Sequence, residues 1–273
     1  MPNAKVMSEK QAIVAALTEK LQGSAAGVLV DYKGITVAED TALRNECRKN
    51  NVEYAVVKNT MLRLNLRGNV RYYLIGWFGP MVLTILGAVL YYAIYPGEFT
   101  LATLKTTLAT QPMSPAAIIA VMLFSPWLNL IPCLGEEWGW RGYLLPKVAA
   151  RMKFLPTVLL TGFIWGIWHA PIIVTGHNYG VGYAGYPWAG IVAMCLFCIV
   201  SGTLLSYITL KTNSCWPAVL AHGAINGTAA VGTLFLANPM VYDRFIGPAP
   251  TGIIGGFAYL LVAIWIVWRM RKE

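Results

Sequence analysis

Acidic residues nearly vanish after the first quarter of the chain. The 273 residues hold 12 Asp and Glu against 21 Lys and Arg. Glu9, Glu19, Asp31, Glu39, Asp40, Glu46 and Glu53 all precede Gly68. The long remainder carries only Glu98, Glu136, Glu137, Asp243 and Glu273. Charged residues make up 12% of the chain, against about 25% in ordinary soluble proteins. That deficit excludes a soluble domain for the remainder, so the chain reads as a soluble-looking head joined to a membrane-looking body. Histidine is also scarce, with His169, His177 and His222 only, and there is no H-E-x-x-H, which removes the usual helical zinc-peptidase signature. The five cysteines are Cys47, Cys133, Cys195, Cys198 and Cys215. Four lie in apolar runs, where cysteine packs as a small hydrophobe, and nothing in their spacing implies a disulfide framework. The N-terminus is polar and charged through Lys20, so no signal peptide is expected.

What is abundant is apolar surface, at 57% of residues. A bilayer-crossing helix needs about 20 mostly apolar residues. Six stretches meet or approach that length: Tyr72–Tyr95, Pro115–Cys133, Leu155–Val174, Trp188–Leu210, Trp216–Leu236 and Gly252–Trp268. The formal charge of +9 invites a nucleic-acid reading, but the body's basic residues mostly flank these runs. Arg71 precedes the first, Lys147, Arg151 and Lys153 follow the second, Lys211 follows the fourth, and Arg269, Arg271 and Lys272 follow the sixth. Six crossings place all four clusters on one side, which the positive-inside rule makes the cytoplasm. Lys105 and Arg244 are exceptions on the opposite loops. The expectation is a multi-pass protein of the cell membrane with both termini cytoplasmic. Aromatic residues near span ends, such as Tyr72, Tyr95, Trp188 and Trp268, fit an interfacial belt.

The head has a different pattern. Ser8–Leu21 reads as a helix with Ile13, Val14, Leu17 and Leu21 at helical spacing, and Thr36–Asn50 as another. Ala26–Val30 and Val52–Val57 read as short strands, giving an α/β alternation.

Ionisable groups at membrane depth are costly and mark functional sites. Glu136 and Glu137 lie in an apolar stretch from Leu128 to Pro146. Glu137 and Arg141 are four apart and can pair on one helix face, which leaves Glu136, about 100° around the helix, as the carboxylate available for chemistry. Trp165-x-x-x-His169 sits within Leu155–Val174 and is followed by Pro171, which should break the helix. His222-x-x-x-Asn226 puts an imidazole and a carboxamide on one face of the fifth run, a donor pair suited to a carbonyl oxygen gaining charge. Each motif alone has a bland reading: a helix-end salt bridge, a packed histidine, interhelical hydrogen bonding. On three separate spans they supply a base, a polariser and an oxyanion hole. His177 reads as a loop residue.

Two resemblances follow from these words. The stretch from Lys10 to Leu64, including "GVLVDYKGITVAEDTALRNECRKNNVEYAVVKNTMLRL", resembles the N-terminal part of the bacterial ribosomal stalk-base protein, which implies a truncated α/β segment over residues 1–66. The family binds ribosomal RNA through this region, here through Lys33, Lys58 and neighbours. A half-domain of this size buries too little surface for secure stability, so RNA binding by residues 1–66 is kept only as a weaker alternative function. "EEWGWRGYLLP", "WGIWHAP" and "SCWPAVLAHGAIN" resemble the three motifs of the CPBP family, the type II CAAX prenyl endopeptidases and bacteriocin-processing proteins, over residues 67–273. The family patterns E-E-x-x-x-R and H-x-x-x-N match at Glu136, Glu137, Arg141, His222 and Asn226. The F-x-x-x-H pattern keeps His169 but has Trp165 in place of phenylalanine. The chain also has fewer runs than such proteins usually have spans.

The expected fold is therefore an all-α polytopic membrane helix bundle of about six spans with a small truncated α/β N-terminal segment. The resemblance implies hydrolysis of a peptide bond in a lipidated or hydrophobic peptide within membrane lipid. Glu136, helped by His169, would activate water, and His222 and Asn226 would stabilise the oxyanion. Glu137, Arg141 and Trp165 would support them. No cofactor is required by this route. A zinc ion held by Glu136, His169 and His222 is the alternative mechanism, and a non-catalytic bacteriocin-immunity or peptide-binding protein is the alternative function.

Overall fold

The computed structural model describes residues 12–13, 15–20, 23–24, 34–56 and 70–271. The chain divides into two compact units, Met1–Val70 and Arg71–Glu273.

In the first unit, residues 12–13 and 15–20 are helical, within the helix expected over Ser8–Leu21. Helix α1, Val37–Lys49, starts where its sequence says it should. The Thr36 side chain accepts from the Glu39 amide at 3.3 Å while the Glu39 carboxylate accepts from the Thr36 amide at 2.8 Å. This reciprocal cap satisfies two otherwise orphaned donors. Asp40 accepts from Arg44 at 2.8 Å and from the Tyr54 hydroxyl at 2.8 Å. Those two donors, Arg44 first, hold the Asp40 carboxyl below the usual carboxylate range. The strand expected at Val52–Val57 carries no ladder over Val52–Val56, and its expected partner, Ala26–Val30, lies outside the described residues. A strand is defined by its paired neighbour, so the described part of the head is helix and turn.

The second unit is helical. Its elements are α2 (Val70–Ile94), α3 (Ala102–Thr110), α4 (Pro115–Leu123), α5 (Ser125–Leu128), α6 (Leu130–Glu137), a π-helical segment Trp138–Leu144, α7 (Leu145–Ala149), α8 (Phe154–Trp168), α9 (Ala170–Val174), α10 (Trp188–Thr212), α11 (Trp216–Thr228) and α12 (Phe257–Met270). Among the described residues the only β pairing is an isolated bridge between Phe99 and Leu236.

Six crossings are not confirmed by the lengths of these helices. Three are long and apolar enough to span, Val70–Ile94, Trp188–Thr212 and Trp216–Phe235, and a fourth arises only if α3 and α4, bent by 95°, count as one. Helices α8 and α12 are apolar but run for 15 and 14 residues, short of the ~20 a crossing needs. Proline accounts for part of the shortfall. Pro126 sits in the first turn of α5 and Pro171 in the first turn of α9; neither can donate to the preceding turn, and each ring crowds the carbonyl four residues back. Outward-facing Leu74, Phe78, Val82, Leu86 and Val89 of α2, with Ile264, Trp265 and Trp268 of α12, are exposed large apolar residues. Such a continuous surface suits lipid rather than water, and the body is a membrane protein on these grounds.

Helix α10 is the axis of the bundle, with Met194, Cys198, Leu205 and Ile208 at most 2% exposed. Helix α8 lies directly on it because Gly162 and Gly166 have no side chains to hold it off. A methyl group at Gly166 would sit 2.4 Å from Cys195 Cα, and one at Gly162 2.6 Å from Ile199 Cα. Small residues four apart are the usual device for close helix approach in lipid. Gly166→Ala is therefore expected to lower the thermal midpoint of the purified protein, by an overpacking cost of about 1–3 kcal/mol. Gly135→Ala, where nothing lies within 4 Å, should leave it unchanged.

Helix α11 packs on α5 and α6 on one side and on α10 on another. Helix α12 closes the far side. The Tyr259 hydroxyl, on α12, donates to the Pro80 carbonyl in α2 at 2.8 Å and accepts from Thr84 at 3.0 Å. Both bonds are buried and tie α12 to α2.

Candidate active site

Three helical segments carry the polar residues singled out above. The backbone from Leu130 to Ala149 is helical throughout but widens from α to π over Trp138–Leu144. Such π turns place side chains where a regular helix would not, and they recur at functional sites. Here the wide turn follows Glu136 and Glu137 directly and carries Arg141.

Glu137 is fully buried and Arg141 is 4% exposed. Arg141 Nη1 donates to Glu137 Oε1 at 2.9 Å, as the spacing of four anticipates. A second donor reaches the same oxygen, because His222 Nδ1, on α11, lies 3.0 Å from Glu137 Oε1. A carboxylate only accepts, so Nδ1 carries the hydrogen and His222 Nε2 faces away from Glu137. Glu137 Oε2 is buried with no hydrogen-bond partner among the described residues.

The remaining members are ordered by helix packing. His222 meets Glu137, and one turn later Asn226 Nδ2 approaches Cys133 Sγ at 3.7 Å, one turn earlier on α6. Rising numbers on one helix pair with falling numbers on the other, so α11 and α6 run antiparallel with His222 and Asn226 on the shared face. Asn226 is the most accessible of the candidate side chains.

Trp165 is at the centre. It is 3% exposed and touches four other candidate residues. Its indole Nε1 donates to Glu136 Oε2 at 3.0 Å. The Arg141 guanidinium lies 4.2 Å from its ring centre, a cation–π contact. Its ring meets those of His222 and His169 edge-on at 5.3 Å and 5.8 Å. Its carbonyl accepts from His169 Nδ1 at 2.7 Å. That bond assigns the His169 hydrogen to Nδ1 and leaves Nε2 as an acceptor. His169 occupies the junction between α8 and α9, where Pro171 interrupts the helix. Cys198 Sγ of α10 lies 3.9 Å from its Nδ1.

Glu136, Glu137, Arg141, Trp165, His169 and His222 thus form one connected cluster on α6, the π segment, α8 and α11, and Asn226 lies one turn beyond His222 against Cys133. His177 lies apart in an exposed turn. Two features of the cluster were not read from sequence: Trp165 as its hub, and Cys133 and Cys198 beside Asn226 and His169. The W-x-x-x-H spacing was the available signal for the first, since residues four apart share a helix face. Among the described residues no three His, Cys, Asp or Glu side chains are grouped to hold a metal ion. Glu136, His169 and His222 as placed do not make a zinc set.

A family model described as Type II CAAX prenyl endopeptidase Rce1-like matches residues 116–228, and the model for Ribosomal protein L10 matches residues 5–74. Curated relatives of the head are each named Large ribosomal subunit protein uL10. That of Alkaliphilus oremlandii is 48% identical over 60 residues, covering 22% of this chain and 36% of the relative. That of Alkaliphilus metalliredigens is 50% identical with the same coverage, and that of Clostridioides difficile is 49% identical over 59 residues, 22% of this chain and 35% of the relative. The chain therefore spans about a third of the length of these relatives. No solved structure matches it. Residues 116–228, which hold every member of the cluster, are similar to the Rce1-like type II CAAX prenyl endopeptidases, and residues 5–74 to ribosomal protein L10.

Proposed function

We propose that the body, residues 67–273, is an intramembrane endopeptidase that hydrolyses a peptide bond near the end of a lipidated or hydrophobic membrane peptide. The observation that carries this reading is the gathering of Glu136, His169 and His222 around Trp165. A water between Glu136 and His169 Nε2 loses a proton to the carboxylate as its oxygen attacks the scissile carbonyl. Charge then builds on the carbonyl oxygen, and Asn226 with His222 Nε2 stabilises it. His222 Nδ1 already donates to Glu137, so donation from Nε2 needs a second proton, and the Glu137 carboxylate is placed to balance the resulting charge. The proton taken by Glu136 passes to the departing amine as the tetrahedral intermediate collapses. No side-chain nucleophile is consumed. Glu137 and Arg141 hold the frame.

With α4–α6, α8–α9 and α12 crossing as well as α2, α10 and α11, the basic flanks Arg71, Lys147, Arg151, Lys211 and Arg269 fall on one side, which supports placement in the cell membrane with both termini cytoplasmic. The head takes no part in this reaction, and RNA binding by residues 1–66 is the weaker alternative.

The test is cleavage of a prenylated C-terminal peptide, and of its unprenylated form, by the purified full chain in nanodiscs, with products identified by mass. Cleavage is expected to survive exhaustive chelation. Loss on chelation with recovery on adding zinc would instead establish the metal route. Tight binding of the peptide without any cut would establish a peptide-binding or immunity protein.

A further inference from the structure

The side chain of Trp165 has one polar atom, and that atom is spent on Glu136. Its indole Nε1 donates to Glu136 Oε2 at 3.0 Å from a ring that is 3% exposed. The ring is clamped by Arg141 on its face at 4.2 Å and by His222 and His169 at its edges. On the far side, Arg141 is itself kept in place by the absence of a side chain at Gly202, where a methyl would meet Nη2 at 2.9 Å. Trp165 is thus a rigid, buried donor. Glu136, by contrast, is half-buried and is a long side chain that loses appreciable rotamer freedom when held.

We propose that Trp165 is a positioning residue whose indole N–H pins Glu136 Oε2, so that Oε1 alone is presented to the hydrolytic water. The proposal rests on the peptidase reading and deepens it. It assigns the two oxygens of Glu136 different work: Oε2 is the anchor and Oε1 the proton acceptor. It also joins the base to the rest of the site through one side chain. The same residue orients Glu136 through its indole, His169 through its carbonyl and Arg141 through its ring. One bond in the last turn of α8 therefore sets the relation between the acidic segment and the histidine at the helix break. A phenyl ring at the same place would keep the packing and the carbonyl but lose the tether.

The consequence is a defect in turnover without a defect in binding, because the indole N–H touches the base and not the peptide. A hydrogen bond to a charged group contributes enough to alter a rate roughly ten- to a hundred-fold when it is removed. The experiment replaces Trp165 by benzothienylalanine, which keeps the bicyclic shape and swaps N–H for sulfur, alongside Trp165→Phe. Cleavage of the prenylated peptide is measured with the full chain in nanodiscs, separating kcat from KM. In parallel, the indole N–H resonance of Trp165, assigned by its loss in Trp165→Phe, is followed in ¹⁵N-tryptophan-labelled protein with and without Glu136→Ala.

The expected result is a fall in kcat of roughly that size in both variants, unchanged KM, and an indole resonance that moves upfield in Glu136→Ala. Wild-type kcat in the benzothienyl variant, or an indole resonance indifferent to Glu136→Ala, overturns the proposal and leaves the peptidase reading standing. A wild-type chain that cleaves nothing overturns the peptidase reading and this role with it. If Trp165→Phe does not fold, the shape-preserving variant still decides the matter.

Discussion

Glu136→Ala is expected to reduce kcat for peptide cleavage by about 10²–10⁴-fold, the usual contribution of a positioned general base, with a smaller fall in thermal midpoint than Glu137→Ala. The second half of the expectation follows from where the side chain lies. Glu136 is half-buried and, among the described residues, its only hydrogen bond is from Trp165, so its removal orphans one indole N–H but leaves no buried charge unbalanced. Glu137→Ala should behave in the opposite way. That carboxylate is fully buried and holds both Arg141 and His222 on one oxygen, so its loss disturbs the frame before the chemistry. Adjacent glutamates with opposite phenotypes, one kinetic and one structural, are the signature to seek. Equal stability loss in both, with residual activity in Glu136→Ala, would remove Glu136 from the role of base.

Arg141→Ala carries the largest expected effect on stability. Removing one partner of a buried ion pair costs about 3–5 kcal/mol, because the other is left charged and dry. Here the abandoned group is Glu137, whose second oxygen already lacks a partner among the described residues. The guanidinium also covers the face of Trp165, so packing is lost with the charge. The thermal midpoint of Arg141→Ala in detergent should fall well below that of the parent. The double replacement Glu137→Leu with Arg141→Met should recover most of it, since apolar residues of similar volume can substitute for a buried pair. Recovered stability without recovered activity would show that Glu137 and Arg141 hold His222 and Trp165 in register. A single Arg141→Ala variant as stable as the parent would mean that the pair is solvated in the bilayer and bears no such load.

The division between helical body and polar head was legible because composition changes abruptly near Gly68, and burial in lipid forbids what a soluble surface demands. The long helices α2 and α10 were legible to within a few residues for the same reason. The break in Leu155–Val174 was legible too, because Pro171 cannot continue the helix, and it divides this run into α8 and α9; the number of crossings was less so, since the length of an apolar run does not fix the length of the helix it forms. The helix at Ala102–Thr110 was not read at all, because Thr-rich, weakly apolar sequence of that length resembles a loop. In the head, α1 and its cap were written in Thr36 and Glu39, whereas strand pairing depends on a partner distant in sequence.

For the candidate site, the residue types and their spacings of four on separate apolar segments were enough to name Glu136, Glu137, Arg141, His169, His222 and Asn226. Periodicity along a helix determines which side chains share its face, and lipid makes any ionisable group there expensive. What the string could not contain is the contact between helices. That His222 binds Glu137 rather than standing free, that Asn226 lies over Cys133, and that Trp165 rather than a glutamate is the hub depend on the rotation and register of α6, α8 and α11 about one another. Glycines at 162 and 166 set how near α8 comes to α10, and Gly202 on α10 leaves room for Arg141, so the candidate site depends on packing that no single motif contains.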